Sequence, residues 1–149
     1  MSRKPMIALF ACGLMTASAG CHAFKLISDK EAGLPDMPTA LVVRGITRGP
    51  GIKMTAPDPD AAPATAPFNL KVVFQPRGGS KIDIASVKVT YLKAQPVDLS
   101  DRVKPGLSEA GIDLKDAEAP PGAHAIQISV ADSEGRKTSA VFTLKVAGK

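Results

Sequence analysis

Four segments of this chain alternate apolar and polar residues at period two, and that alternation restricts the possible folds more than any other feature. In FNLKVVFQ, Phe68, Leu70, Val72 and Phe74 fall on one side, with Asn69, Lys71 and Gln75 on the other. SVKVTYL sets Val87, Val89 and Tyr91 against Lys88 and Thr90, and HAIQISVAD sets Ile126, Ile128 and Val130 against Gln127 and Ser129. AVFTLKV sets Phe142, Leu144 and Val146 against Thr143 and Lys145. Successive side chains of a strand point to opposite faces, so each segment predicts a strand buried on one side. Turn formers punctuate them: Arg77-Gly78-Gly79-Ser80, Pro120-Pro121-Gly122 and Asp132-Ser133-Glu134-Gly135. Weaker patterns predict short edge strands at Val97 to Leu99 and Ile112 to Leu114, flanking a turn at Ser100 to Val103, and a further strand at Ile52 to Thr55. The sum is about seven strands in an all-β, antiparallel, two-sheet sandwich.

Upstream of the alternation the pattern fades. Residues 22–49 carry Gly33, Pro35, Pro38, Gly45 and Gly49 and hold no sustained period, which reads as a flexible tether. Its ALVVRGI, residues 40–46, is β-prone enough to lie along the domain as an edge strand. APDPDAAPATAP, residues 56–67, holds four prolines in twelve positions and is a loop, because proline denies a sheet its amide donors. The expected organisation is a targeting segment over 1–20, a tether over 21–49 and one sandwich domain over 50–149.

The first twenty residues have the order of an export signal. Arg3 and Lys4 precede an uncharged run, MIALFACGLM, which gives way to the small residues Thr16 to Gly20. A bilayer-spanning helix needs about 20 apolar residues, and this run is shorter. Two cleavage sites are legible. Ala17-Ser18-Ala19 suits ordinary signal peptidase, whereas Ala19-Gly20-Cys21 resembles the end of a bacterial lipoprotein lipobox, which implies acylation of Cys21. Ser18 stands where that motif usually carries an aliphatic residue. Loss of residues 1–20 also removes Cys12, leaving Cys21 as the one exported thiol and ruling out an internal disulfide. Acylation protects a thiol otherwise open to oxidation, so lipidation at Cys21 is the expectation and a soluble exported protein the alternative. His22, in place of the Asp that resembles an inner-membrane retention signal, points to the outer membrane.

Without Arg3 and Lys4 the chain keeps 17 basic and 14 acidic side chains. A net charge so small, with no Trp and one Tyr, lacks the dense basic stripe and stacking aromatics of nucleic-acid binding. The order IDIASVKVTYLK, VDLSDRV, PPGAHAIQISVADSEGR and AVFTLKV resembles a bacterial immunoglobulin-like domain over roughly residues 50–147. The likeness lies in Ile-Asp-x-x-Ser-Val-x-Val, in Asp-x-Ser-Asp-Arg, and in Pro-Gly-x-His before a strand ending in Asp-x-x-Gly. It implies a sandwich fold and leaves the role open, since such sandwiches host many functions. The Cys and Trp core marks of antibody domains are absent.

No catalytic constellation is complete. GLSEAG misses the Gly-x-Ser-x-Gly elbow because Ala110 stands where the second glycine is required. His124 shares parity with Ile126 and is expected to cap the core, bridging the Pro121-Gly122 loop to its edge. Two separated histidines and Cys21 do not make a zinc set. Asp98, Asp101, Asp113, Asp116, Asp132 and Glu134 cluster at turns, but no Asp-x-Asp-x-Asp-Gly calcium loop is present, and aspartate stabilises turns by bonding nearby backbone. Asp101 and Arg102 read as a turn salt bridge. No cofactor is expected.

The function expected is that of a non-enzymatic envelope lipoprotein, held at the membrane through Cys21 and meeting a protein or cell-surface partner. The alternative is a soluble periplasmic or secreted accessory module that binds substrate beside an enzyme. The least regular stretch, Pro96 to Gly111, is the expected contact loop, with Asp98, Asp101, Arg102, Lys104 and Glu109 as its contact residues.

Overall fold

The protein is seen in a computed structural model that describes residues 24–38 and 48–148. Cys21, the export segment and the candidate strand 40–46 lie outside the described residues. Among the described residues nine strands form two packed sheets: β1 (Phe24–Lys25), β2 (Gly51–Ala56), β3 (Phe68–Gln75), β4 (Ile82–Tyr91), β5 (Val97–Asp98), β6 (Leu107–Ser108), β7 (Gly111–Glu118), β8 (Gly122–Asp132) and β9 (Lys137–Val146). The first sheet runs β1-β7-β3-β2, with β6 also on β7, and the second runs β5-β4-β8-β9. Every pairing between these strands is antiparallel except β1 with β7.

The period-two residues meet between the sheets as expected. Phe68, Leu70, Val72 and Phe74 from β3 face Val87, Val89 and Tyr91 from β4, Ile126, Ile128 and Val130 from β8, and Leu144 and Val146 from β9 in one cluster. Phe142 has the same parity but is only half-buried, packed at the cluster's margin. His124 is buried with the β8 inward set. The turns at Arg77 to Ser80 and Asp132 to Gly135 fall where the glycines predict, with Gly78, Gly79 and Gly135 in the positive-φ region.

Three expectations need correction. Ile112 to Leu114 belongs to the eight-residue β7, which lies between β3 and the short strands β6 and β1 and is therefore an interior strand. Its alternation breaks at Asp116, whose φ of 53° makes a bulge that returns Ala117 to the core and shifts the register against Phe68 and Leu70. Ser100 to Val103 is a single helical turn, α2 (Ser100–Val103), seated by the buried Leu99 and Val103 and continued by a 3-10 turn at Lys104–Gly106.

The third correction concerns the tether. Residues 24–38 form a strap laid on the sandwich: β1 pairs with β7, Leu26 and Ile27 are fully buried, and α1 (Asp29–Ala32) follows. Ser28 caps α1 in a reciprocal box with Glu31. Two apolar residues side by side carry no period, so only tertiary contact reveals them as core.

Candidate contact surface

The expected contact loop is built on α2. The Asp98 carboxylate accepts the Ser100 amide at 2.8 Å; the Ser100 hydroxyl and that amide hold Asp98 below the ordinary aspartate value. The Ser100 hydroxyl in turn accepts the Val89 amide, and Leu99 donates to the Val89 carbonyl, so the loop is stitched to the edge of β4. Two glycines allow it to lie flat on the first sheet: a Cβ on Gly106 would strike the Asp113 carbonyl, and one on Gly111, at φ 147°, the Val72 carbonyl.

Of the five residues expected to make contact, four are exposed: Asp98, Asp101, Lys104 and Glu109. Arg102 is not available. Its guanidinium grips both Glu31 carboxylate oxygens, at 2.6 and 2.8 Å, and donates to the Leu26 carbonyl at 2.8 Å. Asp101 pairs with Lys104 instead, so the expected Asp101–Arg102 bridge is replaced by two separate pairs. A partner seventy-one positions away leaves no local signature, which is why the sequence concealed it.

The same strap makes a second clasp. Asp36 pairs with the buried Lys93, which also lies 5.2 Å from the centre of the Tyr91 ring. Burial pushes the Lys93 ammonium down, but the Asp36 carboxylate and the Tyr91 hydroxyl outweigh it and leave its pKa above the ordinary lysine value. Tyr91 continues inward: its hydroxyl lies 2.8 Å from Nδ1 of His124, whose Nε2 lies 2.7 Å from the Pro120 carbonyl. A carbonyl only accepts, so Nε2 carries the proton and Nδ1 accepts from Tyr91. Both ring nitrogens are occupied in joining the Pro120 loop to the core edge.

At the far end of the sandwich the Asp132 side chain is fully buried and gathers the amides of Glu134 and Arg136, the Arg136 guanidinium and the Ser80 hydroxyl. Burial pushes its carboxyl up, and these donors outweigh it, holding it below the ordinary aspartate value. Among the described residues no group of three or more His, Cys, Asp and Glu side chains is placed to hold a metal ion, and no helix is long and apolar enough to cross a membrane. A cleft of about 270 Å³ opens between the strap and the Pro120-Pro121 loop, with Lys25, Asp29 and Glu118 at its rim. No known protein family, curated protein or solved structure matches the chain.

Proposed function

We propose that this is an exported envelope lipoprotein, acylated at Cys21, whose immunoglobulin-like module works by contact and carries no catalytic centre. The observation that carries the reading is the position of the strap. The first described strand begins at Phe24, three residues after Cys21, so a lipid on Cys21 would tie the membrane to the first sheet through only two intervening residues. Support for the immunoglobulin-like identity comes from the strand order. With β2, β3 and β7 taken as A, B and E, and β4, β8 and β9 as C, F and G, the sheets read E-B-A and C-F-G, as in that fold. The fully engaged His124 supports a contact role, since a general base needs a free lone pair within reach of its substrate.

The test is metabolic labelling with a palmitate analogue. Wild type is expected to take up label and Cys21→Ala to take up none. Equal labelling of the two, or a mature N-terminus at Gly20, overturns the anchor.

A further inference from the structure

The outward face of the second sheet carries a hollow with a clear origin. Asp83 pairs with Ala131 and Lys88 with Ser129, so the β4 residues between Asp83 and Lys88 stand opposite the single residue Val130. The extra chain bulges, sending Ile84 into solvent. Ser86 ties the bulge down, accepting the Ala131 amide at 2.8 Å and donating to the Asp83 carbonyl at 2.6 Å. What remains is a depression of about 330 Å³ edged by Ser86, Lys88, Ser129, Lys137 and Ser139.

Its chemistry is one-sided. Lys88, Ser129 and Ser139 form one cross-strand row, and Lys137 lies two residues from Ser139 on the same face. Strand spacing and rise put the Lys88 and Lys137 backbones ~12 Å apart, within joint reach of two four-carbon stems. Among the described residues neither ammonium belongs to an ion pair. The nearby carboxylates are engaged elsewhere: Asp83 accepts the Ala85 amide, and Asp132 and Glu134 are held by Arg136. Asp98 reaches Lys88 by its charge alone, from the far side of β4. The Ser129 and Ser139 hydroxyls are 2.6 Å apart, so one donates to the other and a proton is left to point outward. The charged groups at the rim are therefore donors only, which suits a tetrahedral oxyanion.

We propose that this hollow binds phosphate groups carried on a phosphate-bearing cell-surface polymer. The inference deepens the contact role and rests on the anchor for its choice of polymer over membrane. A protein held at Cys21 turns its β1 edge, in the first sheet, toward the bilayer, and the hollow opens on the outward face of the other sheet.

The test is amide NMR of the purified protein with inorganic phosphate, then with short soluble polyphosphate, at constant ionic strength. Saturable shifts are expected at Ser86, Lys88, Ser129, Lys137 and Ser139, with polyphosphate binding more tightly than phosphate. The exposed double change K88Q with K137Q should weaken polyphosphate binding about tenfold or more, as loss of two charge-assisted donors requires, and leave the rest of the spectrum in place. Equal binding by the double variant, or shifts spread over all lysines, overturns the site. Tighter binding through these amides to phosphatidylglycerol vesicles than to polyphosphate overturns the polymer as its source. The anchor fails separately, in the palmitate experiment.

Discussion

Arg102 ties together parts of the chain that are seventy-one residues apart, and its worth depends on the charge of Glu31. The Arg102 side chain, against the opposing effect of burial and with help from Ser28, lowers the Glu31 pKa from 4.5 to about 2. A carboxyl depressed on folding contributes stability that is whole above its unfolded value and is lost as pH falls through the folded one. The pair should therefore hold the strap fully above about pH 5 and release its contribution between there and pH 2. Arg102→Met leaves Glu31 charged and half-buried without its partner and should cost about 1–3 kcal/mol near neutrality. Denaturant melts of wild type and Glu31→Gln should differ at pH 7 and converge toward pH 2. A constant gap across that range would show that the charge of Glu31 contributes nothing.

At the scale of elements, the strap matters through Leu26 and Ile27, which follow β1, more than through the two-residue β1 ladder. Leu26→Ala should cost about 2–5 kcal/mol, the usual penalty for an emptied core site, whereas Lys30→Ala on the exposed side of α1 should stay within about 0.5 kcal/mol. Thermal unfolding of the two variants checks this, and equal losses would mean the strap contributes no core. The strands β3 and β8 were legible because each alternates one face into the core along most of its length, and β9 was legible at its end, where Leu144 and Val146 are buried and Phe142 packs at the margin. β7 was half legible: the alternation of Ile112 and Leu114 survives, and the bulge at Asp116 hides the remainder. The strap was illegible, because Leu26 and Ile27 are buried together and Glu31 waits on a distant arginine. Of the contact loop, the sequence located Asp98, Asp101, Lys104 and Glu109 on the surface and misassigned Arg102, whose partner only tertiary packing supplies. The hollow of the second sheet gave no signal either, since Ser86, Ser129 and Ser139 look like ordinary outward positions until the β4 register is known.

Across the whole molecule the strap is held by its β1–β7 ladder, the Arg102–Glu31 and Lys93–Asp36 pairs and two buried aliphatics. A protein fixed at Cys21 has only residues 22 and 23 before the strap begins, a reach of at most ~11 Å. Were Cys21 acylated as proposed, tension between the envelope and a bound partner would reach β1 with almost no slack to absorb it. The first parts to bear load are a two-residue ladder and the Arg102 fork, while the β3, β4, β8 and β9 framework stays behind them in the line of force. Pulling on a single molecule through residue 21 and the C-terminus should give an early low-force step as the strap lets go, its residues 24–38 paying out roughly 50 Å of chain. Arg102→Met should lower the force of that step and leave the later rupture of the sandwich where it was. A trace with one rupture in both proteins would mean the strap and the sandwich yield together, and the clasp would be no weaker than the domain it closes.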